Sequence, residues 1–288
     1  LRRWFAVLLD VDSRKGETRV SDSALLVERD EYVVTLTMNR PEVRNALSPE
    51  MLVRMADAWE MVDGDDDIRV VILTGAQGHF CAGADLDKLV GRSLAGSEPE
   101  DEWETRIRDD FNIIFKGLLR SYQLKTPLIA AVEGSCIAGG TEIIQTTDIR
   151  IAGRSSKFGI SEVCWSLFPM GGSTVRLRRQ IPFTHAMELL LTGDHYSAEQ
   201  AKDMGLIGRV VDDGEALASA RQVAAKIAAN GPIAVREIKA SVLATECHPE
   251  AKALDIEFEH GMRVFGTEDS KEGPRAFKEK RKPVYKSR

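Results

Sequence analysis

Two glutamates and two turns of small residues are where this sequence could do chemistry. The first turn is Phe80-Cys81-Ala82-Gly83-Ala84-Asp85-Leu86. Its small side chains would let main-chain N–H groups approach a ligand. Strand–glycine-turn–helix junctions are common, so structure alone also explains it. The second, Glu133-Gly134-Ser135-Cys136-Ile137-Ala138-Gly139-Gly140-Thr141-Glu142, runs from a strand into a helix start. Unpaired N–H groups and the positive dipole end there favour an oxyanion. Glu142 lies one helical turn past Gly139, beside whatever that N–H binds; equally, it could serve only to complement the dipole. Glu162 closes Lys157-Phe158-Gly159-Ile160-Ser161 and is flanked by Val163, Cys164 and Trp165. Such a carboxylate either reaches solvent or is retained for a purpose, because desolvating it is costly.

The elements that must position these groups follow from residue pattern. Residues 24–28 and 32–38 read as paired strands, the second alternating Val34, Leu36, Met38 against Thr35 and Thr37. Ser48-Pro49-Glu50 reads as a helix start, with a capping hydroxyl, proline in the first position and an acid at the dipole's positive end. That helix should reach residue 62. Residues 69–73 form an unbroken apolar run, expected to be a strand covered on both faces. A short helix is expected near residue 84, an exposed loop over 91–104, and one helix over 105–123. Residues 127–132 read as another buried strand, 134–140 as a turn, and 149–152 and 157–160 as short strands. Helices dominate from residue 173, with a last strand over 206–211. Alternating strands and helices predict an α/β fold with parallel sheet inside and helices outside.

Whole-chain properties narrow the function classes. At 288 residues, 43% hydrophobic and 29% charged, the chain is an ordinary globular length and composition. A net charge of −6 disfavours general nucleic-acid or anionic-membrane binding. Cys81, Cys136, Cys164 and Cys247 match neither a zinc spacing nor a disulfide framework, so each is expected to be a small buried apolar residue in a cytoplasmic protein. Arg2-Arg3 and the apolar stretch to Leu9 imitate an export signal, but Asp10 ends the run too early. Residues 1–22 are read as a poorly ordered leader, and no stretch is long and apolar enough for a membrane span.

Together the three segments resemble the enoyl-CoA hydratase/isomerase (crotonase) family. Phe80–Asp85 resembles its first oxyanion segment, Ala138–Glu142 its second, and Phe158–Glu162 with Pro169–Gly172 the segment carrying a second acid. Asn39-Arg40-Pro41 with Arg44-Asn45-Ala46-Leu47, and Leu191-Thr192-Gly193 with Ala198, Ala201, Gly205-Leu206 and Val210-Val211, extend the likeness across residues 24–285. The resemblance implies a spiral of ββα units over residues 23–214 and a helical trimerisation region over 215–288. It implies backbone N–H groups of Ala84 and Gly139 as an oxyanion hole, and Glu142 and Glu162 as an acid–base pair gripping one water. Two carboxyls sharing a site push one pKa upward, so acid and base can coexist near neutral pH. Coenzyme A, entering as part of the substrate with no separate cofactor or metal, would contact Arg44, Ala82, Ala84, Asp85 and Leu86. Phe277 and Lys280 would add contacts from a neighbouring subunit of a homotrimer or dimer of trimers. Asp87 departs from a lysine common in the family, with Lys88 following.

The implied reaction is hydration of an enoyl-CoA thioester from a fatty acid or steroid side chain, since runs 126–134 and 165–173 resemble actinobacterial hydratases of sterol breakdown. Three rivals stand beside it: Δ3-Δ2 isomerisation on the same fold, a non-catalytic binding protein of this fold, RNA-binding included, and a carboxylate metal site at Glu142, Glu162 and Asp148. The last lacks histidine ligands and a recognised spacing.

Overall fold

The computed structural model describes residues 23–91 and 96–288. The expected leader and the middle of the 91–104 loop lie outside them. Strands β1 (Leu25–Asp30) and β2 (Val33–Met38) form the expected antiparallel pair, with Leu25 opposite Met38 and Asp30 opposite Val33. Helix α1 (Pro49–Asp63) starts as its sequence dictates: the Ser48 side chain accepts from the Met51 N–H at 3.2 Å and Pro49 takes the first position.

Strands β3 (Val70–Gly75), β4 (Leu128–Val132), β6 (Ile149–Gly153) and β9 (Arg209–Val211) join β2 in parallel. The six-stranded sheet has the order β1-β2-β3-β4-β6-β9. A smaller sheet, order β5-β7-β8, pairs β5 (Ser135–Ile137) with β7 (Lys157–Gly159) and then β8 (Tyr196–Ser197). Between the sheets' ends lie α4 (Gly139–Ile144), α5 (Ser173–Gln180), α6 (Phe183–Thr192) and α7 (Ala198–Asp203). Helices α2 (Glu102–Asp109) and α3 (Asn112–Gly117) cover α1.

The continuous apolar strands are buried on both faces, as their pattern predicts. Val71, Leu73, Leu128, Ala130 and Val132 face the main core with Trp59, Phe80 and Phe158. The alternate residues Val70, Ile72, Ile129, Ala131 and Ile151 face helix α8 (Ala216–Ala228). Ala216, Ala220, Ala224 and Ala228 recur every four residues, and this stripe of methyl groups lets the helix lie close on the sheet. The expected domain boundary at residues 214–215 thus places in the helical region a helix that packs on the sheet.

Beyond it, α9 (Pro232–Thr245) and α10 (Glu250–Phe265) form a hairpin, followed by α11 (Asp269–Lys278). Two ion pairs tie α9 to the sheet: Arg236 to Asp66 at 2.7 Å and Lys239 to Asp148 at 2.8 Å. Ile238, Val242, Leu254, Phe258, Met262 and Phe265 are exposed along the hairpin.

Three local expectations are corrected. The single helix over 105–123 is broken at Asp110, whose backbone is extended and whose carboxylate accepts from the Asn112 N–H at 3.0 Å. That side-chain turn competes with the helix ladder. The turn over 134–140 contains β5, too short to show a period. Cys81 and Cys136 are buried as expected, but Cys164 and Cys247 are exposed.

The alanine stripe leaves no room for growth. Ala220→Leu should lower stability by about 1–3 kcal/mol by overpacking the sheet, read as a reduced urea midpoint.

Candidate active site

Two backbone segments are fastened together at the mouth of the small sheet. Cys81 N–H donates to Ser135 O at 2.8 Å and Ile137 N–H to Cys81 O at 2.9 Å. On the other side, Leu47 N–H donates to Gly83 O at 2.8 Å and Asp85 N–H to Leu47 O at 2.9 Å. Successive peptide groups of an extended chain point opposite ways. Gly83 and Asp85 turn toward Leu47, so the Ala84 N–H turns away from it, toward α4. A methyl built on Gly83 would lie 3.7 Å from the Gly139 nitrogen, and one built on Gly139 would lie 4.0 Å from the Ala84 nitrogen. The two amides therefore border the same gap, and neither has a hydrogen-bond acceptor among the described residues.

The approach to Gly139 is strained. Ala138, with φ 51° and ψ −121°, occupies a backbone region that alanine rarely adopts. Its own N–H is satisfied by Gly159 O at 2.8 Å. Conformations of this kind cost of order 1–3 kcal/mol and persist where the surroundings over-determine them.

Glu142 sits on α4 only 4% exposed. Its Oε2 accepts from the Gly171 N–H at 2.9 Å and its Oε1 from the Ser173 N–H at 3.2 Å. These donors open helix α5, so the carboxylate occupies the positive end of that helix. Burial pushes its pKa above the ordinary glutamate value, while the Ser173 and Gly171 hydrogen bonds pull against that rise.

Glu162 begins a 3-10 turn, Glu162–Trp165, and has the opposite surroundings. Its Oε2 is buried without a partner among the described residues. Burial, together with the neighbouring Glu142 charge, pushes its pKa up to about 7. The structure therefore brings the two glutamates within electrostatic reach of each other. One is surrounded by donors and the other has almost none.

Arg44 is exposed and left-handed at φ 52°, and its carbonyl accepts from the Ala82 N–H at 3.0 Å. Asp85 pairs with Arg40 at 2.8 Å. Burial opposes the Asp85 charge, but the Lys88 N–H and the Arg40 guanidinium outweigh it and hold the carboxyl below its usual range. Its carboxylate is therefore engaged in bracing the loop. Leu86, Asp87 and Lys88 are exposed beside it. Phe277, 87% exposed, and Lys280 lie on and just past α11. That helix does not pack on the elements bearing the glutamates. Asp148 is engaged by the Leu128 N–H at 2.7 Å and by Lys239. The described residues contain no group of three or more side chains able to hold a metal. Burial pushes the Cys81 thiol up to about 12 and the Cys136 thiol well above its usual value, so neither is a ready nucleophile.

This arrangement recurs in known proteins. The sequence profile described as "Enoyl-CoA hydratase/isomerase" matches residues 28–288. The chain belongs to that family. It is 55% identical to enoyl-CoA hydratase EchA19 of Mycobacterium tuberculosis over 91% of this chain and 96% of the relative. It is 34% identical to a short-chain-enoyl-CoA hydratase of Clostridium acetobutylicum over 90% of this chain and 95% of the relative. A crystal structure of an enoyl-CoA hydratase from M. tuberculosis H37Rv superposes with TM-score 0.82 at 36% identity, covering 93% of this chain and all of that one. The crotonase fold expected for the family is the fold observed.

Residues that sequence reasoning passed over hold this enoyl-CoA hydratase/isomerase site in shape. Buried Asn45 donates to Ala76 O at 3.0 Å and to His79 O at 2.6 Å, closing the loop before the first oxyanion segment. Gly171 must be glycine, because a methyl there would fall 2.6 Å from Glu142 Oε2. Its place in a Gly-Gly pair next to a helix start was the available signal. Gly171→Ala should displace the carboxylate and reduce kcat about 10²-fold, the scale of an ångström-sized misplacement. Circular dichroism should show the fold intact.

Proposed function

We propose that this chain is an enoyl-CoA hydratase that adds water to a trans-2-enoyl-CoA, giving a 3-hydroxyacyl-CoA. The observation that carries the proposal is the unequal glutamate pair beside two inward-facing amides. Family membership and the hydratase relatives support the same reaction.

The residues have complementary tasks. N–H groups of Ala84 and Gly139 hold the thioester oxygen and stabilise the enolate as it forms; one such donor is typically worth about 10²–10³ in rate. Glu142, held by donors, is the acceptor that suits a base: it takes a proton from water as the hydroxyl oxygen bonds to the β-carbon. Glu162, with an unpartnered buried oxygen, favours its neutral form and gives its proton to the α-carbon as the enolate collapses. Water thus leaves one hydrogen on Glu142 and its hydroxyl on the substrate, while Glu162 supplies the other hydrogen. Proton exchange between the paired carboxyls and solvent restores the starting state.

Isomerisation moves one proton between two carbons of the same substrate and has no use for a second carboxyl. A binding protein has no use for either, and burying both would be a cost without return. Exposed Trp165, Phe168 and Met170 on the segment after Glu162 fit an apolar acyl group, fatty or steroidal. The exposed apolar face of α9 and α10 fits burial in a trimer or dimer of trimers. In such an assembly Phe277 and Lys280 reach a neighbour's coenzyme A, with Arg44, Ala82, Asp85 and Leu86 lining the same ligand from within the chain.

Glu142→Gln and Glu162→Gln should each lower crotonyl-CoA hydration about 10²–10⁴-fold, while the thioester still binds. Assaying a 3-enoyl-CoA alongside tests the isomerase reading, which requires faster turnover of that substrate. For pH, Glu162 must be protonated to act, so kcat/KM should fall as pH rises through about 7. The same sign applies to stability. A carboxyl whose folded pKa is raised contributes most below its unfolded value near 4.5 and loses that contribution as pH rises to about 7. Chemical denaturation across that window should show the decline in the wild type and a smaller one in Glu162→Gln.

A further inference from the structure

We infer that Gln145 and Ser173 form a buried hydrogen-bond relay that holds Glu142 as an oriented carboxylate, which makes both of them positioning residues for the reaction. The inference rests on the reading of Glu142 as the base.

Gln145 follows α4 directly and is 3% exposed. Its Nε2 donates to Thr141 O at 3.0 Å and to Ser173 Oγ at 2.8 Å. A carbonyl can only accept, so Thr141 O fixes which end of the amide faces it. Both amide hydrogens are then spent, and the Gln145 Oε1 is left buried with no partner among the described residues. Leaving such an oxygen unpaired is costly, and an apolar side chain of the same shape would avoid it. What Gln145 supplies in return is a hydrogen for the Ser173 oxygen.

That hydrogen decides the direction of the next one. With its oxygen accepting from Gln145, the Ser173 hydroxyl directs its own hydrogen to the Glu142 carboxylate. The Ser173 N–H reaches the same carboxylate at 3.2 Å, so one residue gives it two donors. The main chain of Gln145 is fixed in turn, its carbonyl accepting from Gln180 Nε2 at 2.8 Å. The charged groups facing Glu142 are Glu162 from the 3-10 turn and Arg176 from α5, and α4 itself contributes none. A chain of donors ending on an acceptor-only group favours its ionised form, and cutting the chain should raise the pH at which that form appears.

The test compares Ser173→Ala, Gln145→Met and the double variant in the full-length protein, following kcat for crotonyl-CoA against pH and thermal unfolding in parallel. Ser173→Ala should move the acidic limb of kcat upward by about one pH unit, the scale of one lost hydrogen bond to a charged group. Gln145→Met should move it the same way by less, with KM unchanged and a Tm no lower than wild type. Because the two act in series, the double variant should move the limb no further than Ser173→Ala. Limbs at their wild-type position, additive shifts in the double variant, or kcat losses that merely track Tm would overturn the relay. If Gln145→Met does not fold, Ser173→Thr, which keeps the hydroxyl, should restore the limb lost in Ser173→Ala; no difference between those two variants would also overturn it. Glu142→Gln run alongside separates the two levels. Full activity in Glu142→Gln removes the base assignment itself, whereas an inactive Glu142→Gln with unmoved limbs removes only the relay.

Discussion

Holding an ionisable carboxyl out of water, without letting it lose its usefulness, is the constraint around which this structure is organised. An isolated buried carboxylate would protonate before it could act. Glu142 is nearly inaccessible, yet it meets N–H donors from Gly171 and Ser173 at the start of α5. Those donors exist only because the chain makes a tight entry into that helix. Gly172 is left-handed at φ 119°, and Gly171 offers its amide where any side chain would collide with the carboxylate. Arg176, one turn into α5, donates to Gly171 O at 3.0 Å and to Leu119 O at 2.9 Å, stitching the loop to the end of the α3 segment. The position of one carboxylate therefore dictates residue choice in three separate parts of the chain.

The gap opposite is made by the same logic, with backbone doing the work of side chains. Amides can face a ligand only if they are withheld from the sheets on either side. The parallel bridges at Leu47–Ala84 and Cys81–Cys136 accomplish this by engaging every second peptide group and leaving the alternate one free. Ala138 completes the arrangement in a strained conformation, held by its hydrogen bond to β7. Rigid strands on both sides oppose relaxation, so the strain is borne by the sheets rather than relieved by a shift of the Gly139 amide.

How much of this could be read from the chain depended on whether a signal was local. Helix α1 declares itself through Ser48 and Pro49, and β3 and β4 through unbroken apolar runs, because cap chemistry and burial act over a few residues. The glutamates and glycine turns were visible as segments, and their resemblance to known family motifs brought them together. Gln145, Ser173 and Asn45 were not legible, since each is an ordinary polar residue whose importance lies in a partner some 28 to 34 positions away. The break at Asp110 failed for a different reason: a side-chain turn outweighed helical propensity. The role of α8 was hidden as well, because an alanine stripe is equally at home on a sheet or in a helical tail.

The two glutamates share a site, yet their supports come from unlike elements, and this division has a physical use. Glu142 rides on a helix and is braced by a second helix's N-terminus, a scaffold with little freedom to move. Glu162 rides on a single 3-10 turn whose following residues, Val163 to Ser166, are exposed. Ser161, just before it, is fixed to His195 at 2.8 Å, so the turn is anchored at one end only. A base that must align a water molecule benefits from a fixed frame. An acid that must deliver its proton to a carbon benefits from a poorly solvated, weakly hydrogen-bonded carboxyl, because nothing has to be broken before the proton leaves. Equalising the surroundings of the pair, by giving Glu162 donors or taking them from Glu142, would draw their proton affinities together and blur the two roles.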